Sequence, residues 1–253
     1  MANSLPSQIE QARTLIKQSK NITAFSGAGL SAESGIATFR DKDTGALWDK
    51  YDPTHLASQA GFQENQRLVI DWYNWRRQNI AKVTPNPAHE MLATTANDQQ
   101  RCWYHVTQNV DNLLERAGVP EKEVIHLHGT ITKNHCNSPN CNFQETVDLS
   151  QPPELQLCPQ CQNDHMRPSV VWFGESLPDT AWNRAMEASA QCDLLLVIGT
   201  SAQVYPAANL IPTAKQAGAA IIVINTQPSG ASAIADIELI GAAGEILPAL
   251  LAD

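Results

Sequence analysis

Long hydrophobic runs and positive charge are both scarce in this sequence. No apolar run reaches the roughly 18 residues of a membrane-spanning helix, and the first residues show neither the basic nor the apolar region of a secretory leader. Lys and Arg number 17 against 26 Asp and Glu, for a formal net charge of -9. This charge disfavours non-specific nucleic-acid binding and is compatible with basic proteins as substrates. We therefore expect a cytoplasmic protein that binds neither membranes nor nucleic acid directly.

Cysteine is also scarce, with six in 253 residues. In a reducing compartment we expect them to be thiols or metal ligands and not a disulfide framework. Four of them form two close pairs, Cys136-x4-Cys141 and Cys158-x2-Cys161. Four thiolates fill a tetrahedral site and leave no position for water, so the spacing predicts a structural zinc ion.

Two other interpretations of the cysteine pairs stay open at this point. They could be four unrelated buried cysteines, although the segment around them is rich in proline and poor in apolar residues. They could also form a zinc ribbon that serves as a nucleic-acid adaptor. Against that, Lys133 is the only Lys or Arg between Lys122 and Arg167.

A glycine turn organises the first part of the chain. A short apolar run at residues 22–25 is followed by residues 27–32, GAGLSA, which fit the G-x-G-x-x-G/A pattern of dinucleotide-binding turns. A turn without a Cβ lets backbone N–H groups approach a pyrophosphate, and the helix N-terminus behind it favours the negative charge. A plain strand-to-helix turn is the alternative interpretation.

The residues after this turn depart from the pattern of a dehydrogenase. Residues 35–40, GIATFR, follow so closely that little helix can form, and they place Phe39 and Arg40 beside the predicted phosphates. A dehydrogenase would continue into a long helix and a second strand ending in Asp or Glu for the ribose hydroxyls. Residues 41–53 are polar and turn-rich instead. The pattern predicts a dinucleotide site that serves something other than reversible hydride transfer.

Helical and strand patterns alternate along the rest of the chain. A capping-box motif at residues 7–10 predicts a first helix, and residues 64–82 keep helical spacing. Residues 102–107 and 124–127 are predicted strands. Apolar runs predict strands buried on both faces of a parallel sheet at residues 169–173, 194–198 and 221–224, with crossover helices at 180–191 and 207–217.

These elements predict an α/β fold: a Rossmann-like doubly wound parallel sheet with an inserted small zinc-binding module and a helical segment. We expect the Rossmann-like domain to comprise residues 1–40, 85–132 and 168–253. The helical segment, which also carries the cofactor loop, would span residues 41–84. The zinc-binding module would span residues 133–167.

Polar residues directly follow two of the predicted strands. Gln108, Asn109 and Asp111 follow the first, at the carboxyl edge where open α/β sheets bind ligands. His126 and His128 follow the second and lie on one side of an extended chain. A histidine in this place is available as a general base. A hydrogen-bonded structural histidine is the alternative for both, and it is the favoured interpretation of His126.

A series of motifs, taken in order, resembles the sirtuin family: GAGLSAESGIATFR, TQNVDN, HLHGT, the two cysteine pairs, RPSVVWFGE, GTSAQVYPAA and IN-T. The resemblance covers about residues 21–250 and implies an NAD-dependent protein-lysine deacylase that acts on acylated-lysine proteins or peptides. It implies that the acyl oxygen attacks C1′ of the nicotinamide ribose and expels nicotinamide. His128 then activates a ribose hydroxyl, and the products are free lysine and O-acyl-ADP-ribose.

The resemblance also implies roles for individual residues. His128 would be the catalytic base, with Asn109 as the second catalytic residue, and the four paired cysteines would bind zinc. The substrate backbone would pair, by strand addition, with Val171, Trp172, Phe173, Gly174 and Glu175. The cofactor's phosphates and ribose would contact Gly27, Ala28, Gly29, Phe39 and Arg40, and its nicotinamide half would contact Gln108, Asn109 and Asp111. Its adenosine half would contact Gly199, Thr200, Ser201, Asn225 and Thr226. Further cofactor contacts would come from Ser31, Gln227 and Ala243.

The sequence departs from the family's pattern in three places. Ala37 stands where the family usually has Pro, which is expected to loosen the cofactor loop. His126 replaces the usual Glu before Leu-His-Gly, so the pKa of the base cannot be carried over from the family. The first cysteine pair has four intervening residues in place of two, which predicts a longer knuckle with the same number of ligands.

A Tyr-x-x-Arg pair on the predicted helix at residues 64–82 indicates which acyl group the protein would prefer to remove. Tyr73 and Arg76 are three apart, so their side chains project from one face. The pair resembles that of sirtuins which remove succinyl and malonyl groups, where Arg grips the carboxylate and Tyr donates a further hydrogen bond. The alternative is a surface cation beside a half-buried aromatic residue, and that is what we expect of Arg77.

Two other functions stay open. An NAD-dependent mono-ADP-ribosyltransferase would use the same pocket on a different acceptor. A non-enzymatic NAD or zinc-ribbon adaptor would keep the glycine turn but have no use for His128. The presence of both Asn109 and His128 favours an enzyme.

Overall fold

The computed structural model describes residues 4–36 and 51–252. Ala37, Phe39 and Arg40 lie outside the described residues. Within the described ranges the strands are Asn21–Ser26 (β1), Cys102–Thr107 (β2), Val124–His126 (β3), Gly129–Cys136 (β4), Gln144–Thr146 (β5), Met166–Val170 (β6), Leu194–Ile198 (β7), Ala220–Asn225 (β8) and Ile237–Ile240 (β9).

The larger sheet is parallel, with the order β3-β2-β1-β7-β8-β9. The strand order runs one way from β1 and the other way from β7, so a crevice is expected between the carboxyl ends of these two strands. Every residue of β7 is buried, as expected for a central strand covered on both faces. The predicted doubly wound parallel sheet is confirmed.

Helices cover both faces of this sheet. Side chains of the helices Leu5–Gln18, Pro87–Thr94 and Ala243–Leu251 pack in one apolar cluster, and those of the helices Asp179–Gln191 and Leu210–Gln216 pack in the cluster on the opposite face. The α-helices are Leu5–Gln18 (α1), Gly29–Ala32 (α2), Pro53–Leu56 (α3), Gln59–Glu64 (α4), Gln66–Lys82 (α5), Pro87–Thr94 (α6), Leu113–Ala117 (α7), Asp179–Gln191 (α8), Leu210–Gln216 (α9) and Ala243–Leu251 (α10).

The first helix begins earlier than predicted. It starts at Leu5, with Ser4 at the N-cap making no side-chain capping bond and Pro6 in the first turn. The predicted capping box at residues 7–10 is therefore wrong, because these residues already lie inside the helix. Proline provides the start signal, since its fixed φ suits the first helical turn and it lacks the N–H that would be unpaired there.

A second, antiparallel sheet has the order β5-β4-β6. The predicted strand at residues 169–173 is wrong in its bounds and in its sheet, because β6 spans Met166–Val170 and pairs with β4. Apolar content alone does not reveal which sheet a short strand joins. The boundaries expected at residues 133 and 168 both fall inside strands of this sheet. The division into three parts stays a prediction.

Sequence patterns also missed β9 and α10. The residues of β9 alternate between buried and less buried positions at the edge of the sheet, so they do not form a continuous apolar run. Pro248 lies inside α10, where a proline normally argues against a helix. The helix is retained because Ile246, Leu247 and Leu250 are buried in the same cluster as α1 and α6.

The expectation of a surface position for Arg77 is wrong. Arg77 is fully buried between α5 and the second sheet. Its guanidinium donates to the Ile131 carbonyl at 2.9 Å and to Asn134 Oδ1 at 2.7 Å. It also donates to Asn74 Oδ1 at 3.2 Å and to the Lys133 carbonyl at 3.3 Å. Arg77 thus joins α5 to β4.

We expect Arg77→Met to destabilise the protein, because it leaves buried acceptors of β4 without a donor. Each such acceptor costs about 1–3 kcal/mol. Urea unfolding monitored by circular dichroism measures the change. Arg67→Met on the same helix is the control, since its bonds to Asp71 and Glu154 are exposed and contribute little to stability. Equal stabilities of the two variants would show that the buried bonds do not hold α5.

Candidate active site

A cavity of about 500 Å³ opens where the strand order of the parallel sheet reverses. This is an ordinary volume for a small-molecule or cofactor site. Its walls come from the loops after β1, β2, β7 and β8 and from the start of α10. Every described residue predicted for the cofactor lines it: Gly27, Ala28, Gly29, Ser31, Gln108, Asn109, Asp111, Gly199, Thr200, Ser201, Asn225, Thr226, Gln227 and Ala243.

Two glycine turns pack backbone against backbone at the base of the cavity. The Gly29 N–H donates to the Gly199 carbonyl at 2.8 Å, and a Cβ added to Gly29 would lie 2.7 Å from Gly199 Cα. Gly199 has φ +58, and a Cβ there would lie 2.5 Å from the Leu30 nitrogen. The glycines are therefore needed for the contact between the two turns. The short α2, four residues long, agrees with the small helical content predicted after the turn.

Asn109 is held by hydrogen bonds on both its main chain and its side chain. Its Nδ2 donates to the Gly27 carbonyl and to Ser31 Oγ, each at 3.1 Å, and its N–H donates to Thr107 Oγ1 at 3.0 Å. Next to it, Gln108 Nε2 donates to Thr200 Oγ1 at 2.9 Å. These bonds tie the segment after β2 to both glycine turns.

A buried polar chain lies beneath Asn109. Ser31 Oγ donates to Asp111 Oδ2 at 3.0 Å, and His89 Nε2 lies 3.4 Å from the same hydroxyl. The Asn86 N–H donates to His89 Nδ1 at 3.3 Å, so the ring proton is on Nε2 and faces Ser31. Burial raises the pKa of Asp111 and lowers that of His89 to about 4. Sequence reasoning missed His89, which lies within the first turn of α6 and has no local signal of function.

His128 lines the cavity and is arranged as a base. Its Nδ1 lies 3.0 Å from the Gln108 carbonyl oxygen, which can only accept, so Nδ1 carries the proton and Nε2 keeps its lone pair. Burial lowers the pKa of His128, although the bond to the Gln108 carbonyl opposes this. The imidazole is therefore neutral at neutral pH.

His126 does not line the cavity, and both its ring nitrogens are occupied. Nδ1 lies 3.0 Å from the Asn109 carbonyl oxygen, and Nε2 lies 2.7 Å from Glu115 Oε1. Burial disfavours the charged ring, but the hydrogen bond and charge of Glu115 outweigh it and raise the pKa of His126. The arrangement favours a structural role for His126 and leaves His128 as the candidate base.

The far end of the cavity contains a carboxylate that sequence reasoning missed. Glu33, in the lining, accepts a hydrogen bond from the Gly244 N–H at the start of α10, at 2.6 Å. Near it, Asn225 Nδ2 donates to the Thr200 carbonyl at 3.2 Å. The start of α10 is thereby fixed to the loop after α2, with Ala243 in the cavity wall.

The structure separates the two members of the Tyr-x-x-Arg pair. Arg76 lines the cavity, and its guanidinium carbon lies 5.0 Å from the ring centroid of Trp72 and 5.6 Å from that of Tyr73. Tyr73 is fully buried behind Arg76, where its hydroxyl accepts a hydrogen bond from Trp172 Nε1 at 2.9 Å. Arg76 is therefore the member of the pair that faces the cavity.

The predicted substrate-pairing residues lie outside this cavity lining, and most of their backbone donors already have partners in the chain. The N–H groups of Val171 and Phe173 donate to the carbonyls of His128 and Ala57, each at 2.9 Å. The Trp172 N–H donates to Glu175 Oε2 at 2.8 Å. Phe173 is 54% exposed and forms an isolated bridge with Ser58. The strand edge that remains available to pair with a substrate peptide is therefore shorter than five residues.

Glu175 stabilises the segment between β6 and α8. Its carboxylate accepts two hydrogen bonds from the Arg167 guanidinium, at 2.6 and 3.0 Å. Arg167 in turn lies over the Trp172 ring, 3.3 Å from the centroid. Ion pairing with Arg167 lowers the pKa of Glu175 despite its partial burial. The segment between β6 and α8 is thus held by a charged pair.

The four predicted metal ligands converge in the second sheet. All four Sγ atoms lie within 4.8 Å of one another. The Cys136–Cys161 pair is separated by 3.6 Å and the Cys141–Cys158 pair by 3.7 Å. Thiolates about 2.3 Å from a tetrahedral zinc ion would be roughly 3.8 Å apart. The cluster fits the structural zinc ion predicted from the spacing.

No helix in residues 4–36 and 51–252 has the length and hydropathy needed to cross a membrane. The fold and site together define an α/β protein with a cavity at the switch point of its parallel sheet and a cluster of four cysteines that could hold a zinc ion. The sequence model of the Sir2 family matches residues 27–206. The chain belongs to the Sir2 family.

Characterised relatives support this assignment along almost the whole chain. NAD-dependent protein deacylase 1 of Pseudomonas aeruginosa is 42% identical over 243 residues, which cover 94% of this chain and 95% of the relative. The NAD-dependent protein deacylase of Pyrococcus abyssi is 44% identical over 246 residues, covering 95% of each chain.

Solved structures agree with the fold. A crystal structure of a Sir2 homolog in complex with NAD superposes with a TM-score of 0.88 at 42% identity, covering 96% of this chain and 92% of the other. A structure of Sir2 bound to an acetylated peptide gives a TM-score of 0.82 at 27% identity, covering 94% of this chain and 95% of the other.

Proposed function

We propose that the protein is an NAD-dependent protein-lysine deacylase that prefers acyl groups ending in a carboxylate. Membership of the Sir2 family and relatives named as NAD-dependent protein deacylases support the general activity. The observation that carries it is His128, a neutral imidazole in the cavity wall whose Nδ1 is held and whose Nε2 is left to accept a proton. We retain a cytoplasmic location, and the lack of direct nucleic-acid binding, as predictions.

The chemistry follows from the groups that line the cavity. When bound, NAD would supply an electrophilic ribose carbon for the acyl oxygen of the substrate to attack, with nicotinamide as the leaving group. Asn109, which is bonded to both Gly27 and Ser31, would orient the nicotinamide ribose. His128 would take a proton from a ribose hydroxyl so that this oxygen bonds to the acyl carbon. Water then completes the release of free lysine and O-acyl-ADP-ribose.

Arg76 supports the preference for a charged acyl group. Among the described residues that line the cavity it is the one cation, and it lies there with apolar Ile80 and Val110. Burial lowers the pKa of Arg76, with Tyr73 and Asp111 opposing the shift. Burial therefore disfavours the charged guanidinium, and an anionic ligand would stabilise it. A succinyl or malonyl carboxylate provides such an anion and can accept two parallel hydrogen bonds.

We expect Arg76→Met to lower kcat/KM for a succinyl-lysine peptide by about 10- to 100-fold, since a hydrogen bond to a charged group contributes about 1.5–3 kcal/mol. The same peptide with an acetyl group should lose much less. A butyryl version, close to succinyl in length but without the carboxylate, separates the effect of charge from that of size. Nicotinamide release and deacylated peptide are both measured.

Arg67→Met is the matched control, because it removes an exposed arginine from the same helix. If Arg76→Met lowers kcat/KM equally on all three peptides, Arg76 does not read the carboxylate and the acyl preference fails. If wild-type protein releases no nicotinamide when an acylated peptide is added, the deacylase assignment itself fails. Transfer of ADP-ribose to protein would then support the ADP-ribosyltransferase alternative.

A further inference from the structure

The segment between β2 and α7, residues 108–112, belongs to neither element, and two imidazoles hold its main chain. His128 Nδ1 donates to the Gln108 carbonyl, and His126 Nδ1 faces the Asn109 carbonyl, both at 3.0 Å. The two histidines are two residues apart at the end of β3. Two consecutive carbonyls of the segment are therefore held by two histidines that lie close together in the sequence.

The hydrogen-bond partners of His126 determine its protonation. A backbone carbonyl can only accept, so Nδ1 carries a proton. Nε2 faces Glu115 Oε1 at 2.7 Å, the distance typical of a bond between an imidazolium and a carboxylate. The two side chains are only 16% and 19% exposed, so water screens the pair weakly. The geometry therefore describes a charged ring that donates from both nitrogens.

We propose that His126, charged and paired with Glu115, is a positioning residue that holds Asn109 in the orientation needed for catalysis. The inference rests on the proposed deacylase function. The Asn109 side chain donates to Gly27 and Ser31, so its main chain must keep the carbonyl turned towards His126 for these bonds to form together. A neutral side chain at residue 126 could not bond to the Asn109 carbonyl and neutralise Glu115 at once.

Other titratable groups face this pair from the surrounding elements. Asp111 in the same segment favours the charged state of His126, as Glu115 does. His105 on β2 is kept neutral by burial, which lowers its pKa to about 4 although the charge of Glu115 opposes the shift. His128 is likewise neutral. His126, whose pKa is raised, is therefore the ring in this group that keeps its proton to the highest pH.

The first test measures the charge of His126 without using activity. In protein labelled with ¹⁵N-histidine, the signal lost in His126→Gln identifies the ring, and its titration gives the pKa. We expect a midpoint above the ordinary 6.5 of histidine. We expect Glu115→Gln, which keeps the shape and removes the charge that favours the protonated ring, to lower that midpoint. A midpoint below 6.5 in the wild type would overturn the inference.

The second test asks whether this charge matters for turnover. We expect wild-type kcat to fall on the alkaline side as His126 loses its proton. In Glu115→Gln the alkaline fall in kcat should move to lower pH, together with the midpoint of the ¹⁵N titration of His126. His126→Gln should lose about 10- to 100-fold in kcat, with little change in KM for NAD, and should lack this alkaline limb. A merely structural role would lower kcat equally at every pH.

Different results would refute the positioning role of His126 and the proposed deacylase function. A wild-type enzyme that deacylates, but whose alkaline limb stays unchanged in Glu115→Gln, refutes the positioning role and leaves the deacylase function standing. A wild-type protein without deacylation refutes the proposed function. Melting temperatures of both variants are measured beside the rates. Glu115→Gln keeps the test decisive if His126→Gln does not fold.

Discussion

His128→Ala is expected to lower turnover by about 10²–10⁴-fold, the usual cost of losing a general base. NAD affinity should change little, because the proposed role of the imidazole is to accept a proton during the reaction, and the glycine turns, Asn225 and Ala243 line other parts of the cavity. Single-turnover deacylation and calorimetric titration with NAD measure the two quantities separately. Turnover within a few-fold of wild type would refute the assignment of His128 as the base.

The pH dependence of the wild type provides a second check on His128. Only the neutral ring can accept a proton, and burial lowers its pKa from the ordinary 6.5. On the acid side, the rate should therefore be maintained down to neutral pH and fall as the pH drops through this lowered pKa. His55→Ala is the control, because His55 is an exposed histidine paired with Glu64. This variant should keep both the rate and the acid limb.

Cys158→Ser is expected to abolish zinc binding and to unfold at least the second sheet. Within residues 4–36 and 51–252, the buried apolar cluster around the metal ligands consists of Cys136, Cys158 and Met166, with Phe143 partly buried beside them. So small a core does not offset the entropy of ordering the chain. The free energy of metal binding, about 10–16 kcal/mol in zinc-finger peptides, therefore also stabilises the folded module.

Metal analysis and thermal melting test this expectation on the full-length protein, with and without a chelator. Cys102→Ser is the matched control, because Cys102 is an exposed thiol outside the cluster. It should keep both the zinc content and the melting temperature. A Cys158→Ser protein with wild-type zinc content would show that the four thiolates do not form the site.

The features that were predicted correctly from the sequence depend on the spacing of residues that are close in the chain. The glycine turn and the two cysteine pairs are each encoded within a few neighbouring residues, and the structure brings the first into the cavity and the four thiols together. The polar residues after β2 lie where the carboxyl edge of a parallel sheet places them. In each case the chemistry depends on residues that are close in the chain.

The sequence predictions that were wrong or incomplete concern residues whose partners are distant in the chain. Arg77 looks like a surface cation until β4, more than fifty residues later, supplies its acceptors. His89 acquires its partner only because α6 packs beside the glycine turn, which brings it to Ser31. The β6 run gives no sign that it pairs with β4 and not with the parallel sheet. Pattern and propensity contain no information on these long-range contacts.

Arg76 and Arg77 are neighbours with separate environments, and this bears on how acyl selectivity can evolve. Successive residues of a helix point about 100° apart, so Arg77 reaches β4 while Arg76 faces the cavity. The bonds of Arg77 fix the rotation of α5 about its own axis and do not depend on which side chain occupies residue 76. With the role proposed for Arg76, one substitution at the cavity-facing residue would change the acyl preference and leave the anchorage of the helix intact.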